Sequence, residues 1–139
     1  MFLLDTVSVS NRFQPRPDAS VTRWLEQTQD EELFASAVTV GEIHKGLAKA
    51  PGTARSREIR RWLDADFIPA MADRILPVTL AVAERWGDIC GAALAAGRPV
   101  PSVDALIAAT AIVHNLTVVT RNVRHFELCG ARVLNPWSG

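Results

Sequence analysis

The stretch Ser102-Val103-Asp104-Ala105-Leu106-Ile107-Ala108-Ala109-Thr110-Ala111-Ile112-Val113-His114-Asn115-Leu116-Thr117-Val118-Val119-Thr120 decides the fold. Val103, Leu106, Ile107, Thr110 and Val113 recur at helical spacing, which predicts a helix capped by Ser102 and running to about Asn115. Leu116 to Thr120 follows at once, short and without polar alternation, the pattern of a strand buried on both faces. A helix feeding directly into such a strand is half of a βαβ unit, and that unit requires a parallel neighbour.

The neighbours are found by working outward. Phe2-Leu3-Leu4 is a brief buried strand ended by Asp5, Phe34 to Val38 a second, and Ile75-Leu76-Pro77-Val78 a third, which Pro77 makes an edge strand or one with an irregular end. Ala131 to Leu134 is the last. Between them fall a loop over Asn11 to Asp18, a helix over Ala19 to Thr28 and one from Thr39 to Ala50. Thr39-Val40-Gly41-Glu42 has the form of a capping box at the start of the latter. An arginine-rich helix over Ala54 to Ala72 follows, its Arg55, Arg57, Arg60 and Arg61 reading as a solvated face paired with Glu58 and Asp64. A helix over Ala81 to Ala96 carries Val82, Trp86, Ile89, Cys90 and Leu94 on one side. The expected architecture is α/β: three layers, α/β/α, with a central, mostly parallel sheet flanked by helices, in a single domain over residues 1–139.

Composition agrees. The 139 residues are 48% hydrophobic and 22% charged, enough for one core that buries roughly two thirds of the chain's surface. Fifteen Lys and Arg balance fifteen Asp and Glu, which excludes a strongly basic, non-specific nucleic-acid binder. Cys90 and Cys129 form no CxxC and read as free thiols of a reducing compartment. The start, Met1-Phe2-Leu3-Leu4-Asp5, lacks the basic and long apolar regions of a signal peptide. Val103 to Val113, interrupted by Asp104, is too short to span a bilayer. A cytoplasmic protein without membrane association is expected. Trp24, Trp62 and Trp86 read as core or subunit-contact residues, and Trp137 as a lock on the last strand.

In parallel sheets, ligands sit beyond the carboxyl ends of the strands. There stand Asp5, the segment Thr39 to Glu42, and Thr120 to His125. Taken singly, Asp5 reads as a helix cap, and Glu42 and Asp104 as acids favoured by helix N-termini. Gathered on one sheet edge, three carboxylates repel one another and drift upward in pKa unless a divalent cation joins them. An all-oxygen donor set suits Mg²⁺ or Mn²⁺, and no His or Cys cluster is spaced for zinc. No GxxxxGK[ST] phosphate loop occurs, so a nucleic-acid phosphodiester fits such a cation better than a nucleoside triphosphate.

Five segments then carry a family resemblance: Leu3-Leu4-Asp5-Thr6, Ser36 to Glu42, Asp104 to Ala111, Thr117 to Phe126, and Val133-Leu134-Asn135-Pro136-Trp137. In this order, and over the whole chain, they resemble PIN-domain proteins, within them VapC-type toxins of type II toxin–antitoxin systems, nearest the FitB-like branch. The resemblance implies a Mg²⁺- or Mn²⁺-dependent endoribonuclease acting on RNA. It implies a VapB-like antitoxin as partner, a homodimer, and promoter DNA bound through the antitoxin complex. Carried over by position, Asp5 and Asp104 would hold the metal directly, and Glu42 would bind it through water or orient the attacking water. Asn122 would complete the catalytic set, Thr6, Thr120 and His125 would support it, and Arg121 and Arg124 would hold RNA phosphates. The chain departs from the pattern twice. Val7 stands where many relatives carry Asn, and neither Asn122 nor His125 is the acid that relatives place at one or the other of those positions. The second departure motivates an alternative, a nuclease-inactive PIN-like module acting through its antitoxin and DNA. A phosphotransfer enzyme of the haloacid-dehalogenase or receiver kind is disfavoured, because position 7 is Val and no middle strand ends in a phosphoacceptor Asp.

Overall fold

Leu3 and Leu4, adjacent in sequence, point to opposite sides of one sheet, and the molecule is built around that alternation. The computed structural model describes Met1 to Trp137; Ser138 and Gly139 of the expected domain lie outside the described residues. Strands β1 (Phe2–Leu4), β2 (Leu33–Ser36), β3 (Ile75–Leu76), β4 (Thr117–Val119) and β5 (Val133–Leu134) pair in the order β3-β2-β1-β4-β5. All four pairings are parallel, so β1 lies at the centre and the Pro77-flanked β3 at an edge, as expected. The strands are two to four residues long, each trimmed to the part that a neighbour pairs.

The described residues also form eight α-helices, α1 (Thr6–Ser10), α2 (Ala19–Gln27), α3 (Ala37–Lys49), α4 (Ala54–Trp62), α5 (Ile68–Met71), α6 (Leu80–Ala95), α7 (Ser102–Val113) and α8 (Val123–Leu128), with short 3-10 turns between some of them. A π-helical turn, Leu63–Phe67, joins α4 to α5. Leu3, Val118 and Val133 meet α7, α8 and α6 through Ala105, Ile107, Ala108, Phe126, Trp86 and Ile89. Leu4, Val119 and Leu134 meet the other helices through Val9, Ile43, Leu47, Ile59 and Leu63. The period of two along each strand thus serves two helical layers.

Several expectations are corrected. The second strand ends at Ser36 rather than Val38, because the Ser36 hydroxyl accepts the Val38 N–H at 3.0 Å and starts α3 there. Thr39 is therefore buried inside the first turn, and the expected box with Glu42 does not form. Likewise Pro101, not Ser102, occupies the cap of α7, its carbonyl accepting the Ala105 N–H at 3.0 Å. The buried face of α7 is broader than the apolar stripe: Ala105, Ala108, Ala109 and Ala111 are buried, while Val113 is exposed, since a helix sandwiched between the sheet and α6 contacts neighbours over most of its girth. Leu94 of α6 is exposed as well. Arg55 and Arg57 donate to the carbonyls of Phe13 and Gly52, and among the described residues neither pairs with Glu58 or Asp64. α1 has no counterpart in the sequence reading.

Trp24 and Trp62 pack as expected, each edge-on at 5.0 Å to an aromatic ring, Phe2 and Phe13 respectively. Trp86 is half-buried and donates its indole N–H to the Ser102 carbonyl. Both cysteines are free. No helix among the described residues is long and apolar enough to cross a membrane.

Candidate active site

Asp5 leaves the C-terminal end of the central strand and caps α1. Its N–H continues the β ladder to the Val119 carbonyl at 3.2 Å, and its side chain turns back into the protein, only 4% exposed. Oδ1 accepts the Ser8 backbone N–H at 2.8 Å and lies 2.7 Å from Ser8 Oγ. The Thr120 hydroxyl also bonds this carboxyl group and accepts the Asn122 N–H at 2.9 Å. Burial pushes the Asp5 pKa above its ordinary value; the bonds from Ser8 and Thr120 oppose the rise, and the charge of Asp104 adds to it. The upward drift expected of crowded acids is thus present at Asp5, with desolvation as the main cause.

Glu42 projects from the second turn of α3 toward α1, where the Thr6 hydroxyl donates to its Oε1. Thr39 Oγ1 lies 3.2 Å from the same hydroxyl, so a threonine buried in α3 backs the contact. Asp104 sits in the first turn of α7, where the helix dipole favours its charge. Its Oδ2 is 3.0 Å from Nδ1 of His125 on α8.

The three acids, from the cap of α1, the second turn of α3 and the first turn of α7, line one cleft of about 150 Å³ with Thr6, Val7, Ile107 and Asn122. They face the cleft without closing on a common point: among the described residues, no three His, Cys, Asp or Glu side chains form a ready cage. Each carboxylate instead rests on a donor beside it, Asp5 on Ser8, Glu42 on Thr6 and Asp104 on His125. The oxygens facing the cleft are hard ligands, three carboxylates with the neutral Asn122 side chain beside them, and this chemistry fits Mg²⁺ or Mn²⁺ and not zinc. His125 lies behind Asp104, and Arg121 and Arg124 are exposed on the chain that follows Thr120.

Sequence reading missed Ser8 as a member of the site. Ser8 had a signal, since Asp5-x-x-Ser8 has the spacing of a cap and its third helical residue. Thr39 stood in the segment expected beyond the second strand, but its contact with Thr6, across 33 residues, had no local signal.

A wider, more apolar groove of about 340 Å³ opens from Thr6 and Glu42 and runs along Phe13, Ile43, Ile59 and Trp62. Val21 of α2 is wholly buried and does not line it.

Comparison with known proteins places these features in company. The PIN domain family model matches residues 2–130. The chain is 35% identical to the VapC ribonuclease Y4jK of Sinorhizobium fredii over 137 residues, covering 99% of this chain and 98% of that one. It is 35% identical to the toxin FitB of Neisseria gonorrhoeae, covering 99% of each. A solved structure of FitAB bound to an IR36 DNA fragment superimposes with a TM-score of 0.91 at 33% identity, over 100% of this chain and 97% of that one.

Proposed function

The chain belongs to the PIN-domain family, and from that premise we propose that it is the toxin of a type II toxin–antitoxin pair, an endoribonuclease that uses Mg²⁺ or Mn²⁺ to cut RNA phosphodiester bonds. The observation that carries this reading is the meeting of Asp5, Glu42 and Asp104 in one cleft at the C-terminal edge of a parallel sheet. Relatives named as a ribonuclease and a toxin support it.

In this reading the Asp5 and Asp104 carboxylates would hold the cation, Glu42 would act on it through water, and Asn122 would offer a neutral oxygen. When bound, the ion supplies positive charge to the scissile phosphate and to the attacking water. The protein supplies the positioning. Thr6 fixes Glu42 for the water it orients, Thr120 steadies Asp5, and His125 steadies Asp104. Arg121 and Arg124, exposed on the chain that follows Thr120, take up flanking phosphates of the RNA.

The activity resides in one domain over residues 1–139, working in the cytoplasm as a homodimer. A VapB-like antitoxin lays an amphipathic segment along the apolar groove that starts at Thr6 and Glu42, and so covers the acids. The complex binds promoter DNA through the antitoxin, in keeping with a DNA-bound FitAB neighbour of the same fold.

The test is RNA cleavage by the purified chain with Mg²⁺ or Mn²⁺, beside Asp5→Asn. Loss of a ligand carboxylate removes several kcal/mol of charge stabilisation, so the rate falls by about 100-fold or more. Equal cleavage by the variant refutes the assignment. A wild type that cuts no RNA with either ion returns the chain to the class of binding modules.

A further inference from the structure

Resting on the metal-site reading above, we infer that Ser8 is a positioning residue of the acid cleft, setting the Asp5 carboxylate for the cation through its hydroxyl. Val7, which lines the cleft beside Asp5, has no side-chain donor to offer, so the hydrogen bond comes from the next residue, facing inward.

Three observations carry the inference. Ser8 is 1% exposed, so its hydroxyl must find its partner inside the protein. Its Oγ lies 2.7 Å from two acceptors, Asp5 Oδ1 and the Val119 carbonyl, and has one proton to give. The Val119 carbonyl already receives the Asp5 N–H at 3.2 Å, while an ionised carboxylate is the stronger acceptor, so the proton goes to Asp5. Together with the Ser8 backbone N–H, two short donors from one residue then hold one carboxylate oxygen, and the plane of the carboxylate is set before a cation arrives.

The backbone gives the arrangement its rigidity. The Asp5 N–H, bonded to the Val119 carbonyl at 3.2 Å, seats the start of α1 on the strand that leads to Thr120, and Ser8 Oγ lies beside the same carbonyl. Asp5 is thereby gripped from both sides, by Ser8 on its own helix and by Thr120 at the end of β4. A structural serine needing only a partner would be satisfied by the Val119 carbonyl alone; the placement of Oγ at equal distance from Oδ1 is what assigns it to the site.

The experiment is calorimetric titration of the metal-free chain with Mn²⁺, without RNA, on wild type, Ser8→Ala and Ser8→Thr. Removing a donor that orients a ligand weakens binding by about 10- to 100-fold, so Ser8→Ala shows a dissociation constant raised by that factor. Ser8→Thr, which keeps the hydroxyl, stays near wild type. Ser8→Cys, close in volume and a poor donor, carries the same expectation as alanine and serves if the alanine variant fails to fold. On an RNA oligonucleotide, Ser8→Ala loses rate at low Mn²⁺ and recovers it at saturating Mn²⁺, with KM unchanged. Equal Mn²⁺ affinity in folded Ser8→Ala or Ser8→Cys and wild type overturns the role, as does equal loss in a folded Ser8→Thr. A wild type that binds no Mn²⁺ overturns the metal-site reading itself, and this inference with it.

Discussion

Asp5 carries two demands that pull apart. Its burial opposes ionisation, and its proposed work requires the ion. Because its native pKa lies above the ordinary value of 3.8, the folded protein holds the Asp5 proton to higher pH than the unfolded chain does. By linkage, stability then falls as pH rises from about the unfolded value through the native one, and the penalty stays complete above it. Asp5→Asn cannot ionise and keeps an oxygen for the two Ser8 donors. In chelator-treated buffer its thermal midpoint therefore exceeds that of wild type at neutral pH, and the gap closes below about pH 3, where wild-type Asp5 is protonated in both states. Thermal denaturation across pH checks this; a variant less stable than wild type at pH 7 contradicts it. Asp5 was legible in sequence as an acid behind a buried strand. Its grip by Ser8 and Thr120 was not, because those bonds depend on how α1 turns and on where β4 ends.

At the scale of elements, the apolar runs at Leu3 and Val118 announced their strands, and among the residues that follow them Asp5 and Asn122 line one cleft. α1 escaped notice because five residues make less than two turns, too few to display a helical period. The start of α3 was misplaced because two sequences compete for it: Thr39 and Glu42 have the spacing of a cap, but Ser36 comes first and its hydroxyl reaches Val38. This sets Glu42 one turn deeper in α3 and aims it at Thr6. Ser36→Ala accordingly costs about 1 kcal/mol in urea denaturation, the usual worth of a lost cap. A variant as stable as wild type returns the cap to Thr39.

For the molecule as a whole, topology supplies what no local pattern could. The order β3-β2-β1-β4-β5 puts the ends of β1, β2 and β4 side by side, and with them the starts of α1, α3 and the chain leading to α8. Thr6 and Glu42, 36 residues apart, become hydrogen-bonded neighbours only through this order. If the cleft holds a divalent ion in the native state alone, the ion stabilises the fold by mass action, about 2.7 kcal/mol at a concentration a hundred times its dissociation constant. Mn²⁺ then raises the thermal midpoint of wild type and leaves that of Asp5→Asn nearly unmoved. Equal shifts in the two place the ion elsewhere.

The central strand is also the first to be synthesised. Its second neighbour, β4, begins 115 positions later, at Thr117, and the backbone N–H of Asp5 waits for Val119. On a ribosome, an unfinished polypeptide therefore carries the acid without the seat that orients it, and assembly is deferred until β4 has emerged. The cleft lined by Asp5, Glu42 and Asp104 is thus a late product of synthesis, since its central acid takes its backbone seat only from β4.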